Sequence, residues 1–364
     1  MPYIDKLPKQ PNEYVRLKEL EIRDFKAIDY VKFDFPLPNF EDDLDVIVFG
    51  SANGVGKTSI LEAISLLRIC TFLTKDKIDR ENLLQDLELT SFIRAGKKKF
   101  EIKGLFTING KDKVLEFTYH IENGLSVEKD GQDIWQTFDK KNKITYGMVA
   151  SFKAKVSEPL IFAPLLFFHS DRKINSERPD LEIVSKIDGH AGLALVRGNK
   201  VIQGFNPYSE FKVALVRDLL NISDRVVATK AVNTEEIKEK LRFLDNLIRN
   251  FIGEGFKLEK FTYMDDGTID LLVTNPFGEY FSFDGLSSGQ KEILETLYLI
   301  WENRIYSNIV LIDEPELHLN TQWHSEFIAN LKKFCPYNQY IISTHSRAIA
   351  ESVEKDRRRF LERE

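Results

Sequence analysis

Cysteine is almost missing from this chain of 364 residues: Cys70 and Cys335 are the only two, and they form no paired motif. That argues against a disulfide scaffold or a cysteine-based metal site, and it suits a reducing cytoplasm. No apolar run approaches the roughly 18 residues of a membrane span, so no membrane partner is expected. Met1 to Lys9 lacks the apolar stretch of a secretory signal. Positive charge is not in excess either. With 51 basic against 57 acidic residues the net charge is −6, so the surface is not basic all over. A local basic patch still leaves nucleic acid open as a partner. Internal repeats and low-complexity tracts are lacking as well. What remains is an ordinary globular composition, long enough for one large domain or two smaller ones.

The pattern along the chain is mixed α/β. Val15 to Ile22 and Val31 to Phe35 alternate apolar and polar residues, as half-buried strands do, and Pro36, Pro38 and Asn39 end the second. Val46 to Phe49 is a continuous apolar run, as in a buried parallel strand. After a Gly-rich turn, Ile60, Leu61, Ile64 and Leu67 recur at helical spacing. Residues 99–137 predict an antiparallel β lobe. There Leu115, Phe117, Tyr119 and Ile121 alternate with polar residues between the turn signals Asn109-Gly110 and Asn123-Gly124. Lys97, Lys98 and Lys99 before it read as a solvated turn or as a phosphate contact. Residues 209–252 read as helical, with Asn233 and Glu236 as a capping pair. The stripe Ile237, Leu241, Leu244, Ile248, Phe251 lasts about two heptads, too short for a long coiled-coil arm. It fits a packed helix or a stub hairpin. Phe256 to Phe283 returns to strands, with turns at Asp266-Gly267 and Phe277-Gly278.

Four motifs carry chemistry. The first runs from Gly50 through Asn53, Gly54, Gly56, Lys57 and Thr58 to Ser59. A phosphate loop needs small residues so that backbone N–H groups can curl around phosphate oxygens. It also needs a lysine for the β/γ charge, a hydroxyl for Mg²⁺ and a helix N-terminus behind. Ser51 stands where the first glycine of that motif belongs, with Gly50 one step early. The second is Ile309 to Asp313 followed by Glu314, a buried strand delivering carboxylates at its tip. Asp313 suits Mg²⁺, and Glu314 suits a general base for water; the plainer alternative is an acidic turn. The third is Leu286, Ser287, Ser288, Gly289, Gln290 opening a helix, an anion site or a simple N-cap. The fourth is an apolar strand from Gln339 ending at Thr344-His345-Ser346.

In this order the four motifs resemble those of the ABC-type ATPases. The opening Leu20 to Lys26, the run Asp313 to Leu319 and Ser343 to Ser346 are similar to the RecF, SMC and OLD group. Asp313 to Ser346 is similar to bacterial "AAA family" ATP-binding proteins, many of them from phage-defence systems. The likeness covers residues 15–70 and 280–350 well and the middle loosely. It implies an α/β fold, a mixed P-loop sheet with an inserted antiparallel β lobe and a helical subdomain. The implied organisation is 1–95 and 281–364 as the two parts of the ATPase core, 96–160 as the β lobe, and 161–280 as a strand plus helical subdomain.

The resemblance assigns Lys57 and Thr58 to phosphate and Mg²⁺. It assigns Ser287 and Gly289 to the γ-phosphate held by the facing subunit, Asp313 and Glu314 to the Walker B pair, and His345 to the switch. Ser288 replaces the usual glycine of that signature. No glutamine stands where a metal-sensing loop is expected; the strand Leu165 to Phe168 leads there to Ser170, Asp171 or Arg172. With 19 residues after His345, the nuclease domain of OLD enzymes is not expected. The expected activity is Mg-dependent ATP hydrolysis in a homodimer or higher homo-oligomer, coupled to an effector protein such as a nuclease or toxin. A DNA-repair clamp and a slow, ATP-bound sensor scaffold are the alternatives.

Overall fold

The computed structural model describes residues 14–38, 43–50, 56–70, 89–130, 160–162, 165–170, 196–197, 200–201, 211–212, 215–216, 234–304, 307–317 and 319–361. The chain divides into two compact units, Met1–Asp171 with Asn303–Glu364, and Arg172–Glu302. In the first unit, β1 (Val15–Phe25) and β2 (Ile28–Asp34) form a hairpin, and β3 (Asp45–Gly50) precedes α1 (Lys57–Cys70). A meander of β4 (Lys99–Ile108), β5 (Lys111–His120) and β6 (Gly124–Lys129) comes next, then β7 (Leu160–Phe162) and β8 (Leu165–Phe168). The second unit holds β9 (Val196–Arg197), β10 (Lys200–Val201), α2 (Thr234–Phe251), β11 (Lys257–Tyr263), β12 (Ile269–Thr274), β13 (Tyr280–Ser282) and α3 (Ser288–Glu302). The chain then re-enters the first unit through β14 (Ile309–Asp313), α4 (Thr321–Phe334), β15 (Gln339–Thr344), α5 (Arg347–Glu351) and β16 (Arg358–Phe360).

Two sheets build the first unit. One has the order β16-β3-β15-β14-β8-β7, with only β7 antiparallel to its neighbour. Its inner strands are continuous apolar runs because both faces are covered: Ile47 to Phe49, Val310 to Ile312, Tyr340 to Ile342 and Leu166 to Phe168 are all buried. The other sheet is antiparallel, in the order β2-β1-β4-β5-β6, so the meander from Lys99 continues the N-terminal hairpin through β4 beside β1. Helix α1 touches strands of both sheets. Its Ile60, Leu61, Ile64 and Leu67 share one core with Leu20, Ile22, Phe100, Ile102, Leu115 and Phe117 and with Phe49, Leu311 and Ile341. The alternation in the sequence is therefore the inner face of this sheet. Ile121 departs from it: the strand ends at His120, and Ile121 is half exposed in the turn closed by Gly124 at φ +72°.

Lys97, Lys98 and Lys99 pair with Asp24 at 3.0 Å, Glu122 at 2.8 Å and Glu101 at 2.5 Å. That is the solvated reading of the lysine run. In the second unit, α2 buries Leu244, Leu247, Ile248 and Phe251. It packs on α3, with Phe243 stacked on Trp301 and Lys240 bonded to Glu302 at 2.9 Å. The short heptad stripe belongs to a packed helix. Asn233 of the expected cap lies outside the described residues. Strands β11, β12 and β13 form an antiparallel sheet, turning at Gly267 and Gly278, both at φ +81°. Among the described residues, no helix is long and apolar enough to cross a membrane.

Candidate active site

The parallel register decides which side chains meet. Asp313 pairs with Ser343, Ser343 with Phe49, and Thr344 with Gly50. The tips of β3, β15 and β14 thus end level at one sheet edge, where open α/β sheets hold their ligands. From β3 the chain reaches Gly56, at φ +93°, where an added Cβ would stand 3.1 Å from Ile28. Helix α1 begins at Lys57, with Thr58 partly exposed and Ser59 buried in its first turn. Asn53 and Gly54 lie outside the described residues.

Asp313 is fully buried. An ionised carboxylate there needs partners, and it has hydroxyls. Thr58 Oγ1 donates at 3.0 Å to Oδ2 and lies 3.2 Å from Oδ1, and the Ser343 hydroxyl also donates to Asp313. Thr58 and Asp313, separated by 255 positions in sequence, are therefore in contact. Glu314, one residue past the strand, sits at φ +46°, a conformation that costs a β-carbon residue roughly 1–3 kcal/mol. Its N–H donates to Ser343 O at 2.9 Å, which extends the ladder one step and fixes where its side chain starts.

His345 bridges Lys57 and this carboxylate. Lys57 Nζ lies 3.3 Å from Nδ1, and Nε2 lies 3.2 Å from Glu314 Oε1. An ammonium can only donate, so Nδ1 accepts and the ring proton sits on Nε2, facing the carboxylate. Desolvation lowers the Lys57 pKa, while Glu314, Asp313 and Glu316 pull it back up. Lys57 is thus buried, with three carboxylates favouring its charged form.

Leu286 to Gln290 lie in the other compact unit. Ser287 caps α3 reciprocally with Gln290: Gln290 N donates to Ser287 Oγ at 3.3 Å, and Ser287 N donates to Gln290 Oε1 at 3.0 Å. Ser287 and Ser288 are exposed, and Gly289 is buried. Beside β14, β8 runs parallel with Phe168 opposite Ile312, so Ser170 follows the tip of the neighbouring strand. Asp171 and Arg172 lie outside the described residues.

Sequence reasoning passed over three residues of this corner: Ser343, which donates to Asp313; His324, whose Nδ1 is 3.1 Å from Ser346 Oγ; and Glu316. The Glu316 carboxylate takes Thr344 Oγ1 at 2.7 Å, His345 N at 2.5 Å and Ser346 N at 3.1 Å. The signal for Glu316 was present as a second acid two positions after Glu314. Nothing in the sequence says that it turns toward β15. Thr58, Ser343 and Asp313 bring oxygens together here, the donor type a hard cation such as Mg²⁺ takes.

The profile of the family described as "AAA domain, putative AbiEii toxin, Type IV TA system" matches residues 52–351. The "Retron Vc95 probable ATPase" of Vibrio cholerae serotype O1 biovar El Tor is 21% identical, over 95% of this chain and 73% of its own length. The "Septu protein PtuA" of Bacillus mycoides (strain KBAB4) is 23% identical over 91% of this chain, which spans only 38% of that relative. The structure titled "Crystal structure of the SmcHead bound to the C-winged helix domain of ScpA" superposes with a TM-score of 0.52 at 14% identity, covering 93% of this chain and 91% of that one. At that identity the likeness is one of fold: the architecture is that of the SMC-type P-loop ATPase heads.

Proposed function

The chain belongs to that AAA-domain family, and from this premise we propose that it binds ATP with Mg²⁺ and hydrolyses it at composite sites of an ATP-sandwiched dimer. The observation that carries the reading is the convergence of Lys57, Thr58, Asp313, Glu314 and His345 at one sheet edge, from segments far apart in sequence. Lys57 and the N-terminus of α1 bind the phosphates. Thr58 and Asp313 would hold Mg²⁺, which supplies positive charge against the phosphate oxygens. Glu314 takes the proton of the attacking water. His345, with its Nε2 proton toward Glu314, keeps that carboxylate aimed. A left-handed backbone at a glutamate, where glycine would be free of strain, supports a role for its side chain.

In this reading Ser287 and Gly289 serve the phosphate bound by the facing subunit. The exposed hydroxyls of Ser287 and Ser288 at the start of the 15-residue helix α3 are suited to an anion. Ser288 and Gln290 complete that segment, Asn53, Gly54, Gly56 and Ser59 the phosphate loop, and Ser170, Asp171 or Arg172 the metal-sensing position. ATP joins the subunits and hydrolysis releases them. The output is control of an effector protein such as a nuclease or toxin, in anti-phage defence, as the names of the retron and Septu relatives suggest.

Mixing subunits tests the composite site. Gly289→Asp places a carboxylate where like charge repels a phosphate, and Lys57→Ala removes phosphate binding. Each homodimer is expected to be inactive, while a mixed dimer keeps one site with both halves intact and regains part of the turnover. Full activity of Gly289→Asp alone would show that each chain hydrolyses ATP by itself.

A further inference from the structure

We infer that Glu316 is the positioning residue of the switch histidine: it clamps the backbone at His345 to the same turn that carries Glu314. The inference rests on the hydrolytic reading of the site and names a residue that reading leaves without a role.

The geometry begins with the turn. Pro315 follows Glu314 and fixes its own φ, and Pro315–Leu317 form a single 3-10 turn. Leu317 N donates to Glu314 O at 3.2 Å, and Leu319 N to Glu316 O at 3.2 Å. Glu314 and Glu316 therefore leave one braced segment in two directions. Glu314 reaches the His345 ring, with Oε1 3.2 Å from Nε2. Glu316 reaches the chain beneath that ring. Its Oε1 accepts from the N–H groups of His345 and Ser346, and its Oε2 accepts from the Thr344 hydroxyl. Bonds of this kind to an ionised carboxylate are shorter and stronger than neutral ones.

Three donors facing two oxygens explain why the residue is a glutamate. A glutamine would turn an NH₂ group toward a donor, and an alanine would leave all three donors without this acceptor. Within the turn, Ser346 N also donates to Thr344 Oγ1 at 2.9 Å, a bond that leaves the N–H of His345 to Glu316. Helix α5 behind it has only five residues, and its N-cap Ser346 is braced from the side by His324 Nδ1 at 3.1 Å. Without Glu316 the backbone that carries the imidazole loses two N–H bonds and a neighbouring hydroxyl bond, and the ring is left with its own contacts alone, Lys57 at 3.3 Å and Glu314 at 3.2 Å. The role is therefore to set ring orientation, with an effect on turnover that passes through His345.

The test is a double-mutant cycle on ATP turnover with Glu316→Gln, His345→Ala and the pair. Expected is a kcat at least about tenfold lower in Glu316→Gln, with KM for ATP changed less than about twofold. In the His345→Ala background the same change is expected to cost less than about twofold more, because residues acting through one ring are not additive. If Glu316→Gln melts below the assay temperature, Glu316→Asp, which keeps both acceptor oxygens on a shorter stem, carries the same cycle. Additive losses, or kcat and KM deteriorating together with the folded fraction, would mean a purely structural residue and overturn the inference. Wild-type turnover in the Glu316 variants, beside a clear loss in Glu314→Gln and His345→Ala, overturns this inference alone. Unchanged turnover in Glu314→Gln and His345→Ala overturns the hydrolytic reading itself, and the positioning role with it.

Discussion

Glu314→Gln isolates one property of the site, because it keeps shape and volume and removes only the charge and the basic oxygen. The left-handed backbone at residue 314 is no harder for Gln than for Glu, and the N–H bond to Ser343 O is untouched. What weakens is the interaction with His345 Nε2 at 3.2 Å, between side chains still 24% and 32% exposed. Pairs open to solvent to that degree are worth about 0–1 kcal/mol, and the amide oxygen still accepts from Nε2. The melting temperature is therefore expected to move by no more than about 2–4 °C for a chain of this size. The catalytic loss is far larger. A positioned general base contributes about 10²–10⁴ in rate, or about 3–6 kcal/mol on the barrier at about 1.4 kcal/mol per tenfold. Phosphate release falls accordingly, while Lys57, Thr58 and Asp313 still hold the nucleotide, so the variant retains ATP and accumulates as an ATP-bound dimer. The assay pairs single-turnover phosphate release with size measurement in the presence and absence of ATP. Hydrolysis at the wild-type rate in a folded variant would refute the assignment, because the two neighbouring carboxylates are already engaged, Asp313 by two hydroxyls and Glu316 by three donors.

Two further outcomes follow from packing. At Gly104 an added Cβ would lie 2.7 Å from the Phe106 ring and 2.9 Å from Leu67 on α1, both buried, so Gly104→Ala is expected to destabilise by about 1–3 kcal/mol in denaturant titration; a neutral result would mean that the sheet and α1 pack more loosely than these distances require. Burial pushes the Cys335 thiol well above its ordinary range. In a Cys70→Ser background the native protein should therefore resist maleimide at pH 8 and react only on unfolding. The sign of the linkage is fixed too: above the ordinary thiol pKa only the unfolded chain ionises, so this group makes stability fall as pH rises there.

The legibility of this fold in its sequence is uneven for physical reasons. Val46 to Phe49 and Ile309 to Ile312 announce buried parallel strands because both faces of each are covered, so hydrophobicity alone carries the signal. The alternation Leu115, Phe117, Tyr119 is equally clear because only one face of that sheet meets α1; it fails at Ile121, where a turn interrupts a periodicity that composition continues. The stripe on α2 shows its apolar face without saying what covers it, and Trp301 and Glu302 of α3 supply that answer. At the site, residues that must touch a ligand are legible as types at fixed offsets: a lysine and a hydroxyl after glycines, two acids after a strand. Residues that act on other residues are not. Ser343 is one more small polar residue at a strand tip, and Glu316 is one more acid in an acidic turn, until the register of β14 against β15 sets them against Asp313 and against the backbone of His345. That register is a property of two strands ending level, and neither strand's own sequence encodes it. The groups that hold the machinery in line therefore become visible only once the sheet is assembled, which is why the glutamate that sequence leaves without a role is also the one that a turnover cycle can now test.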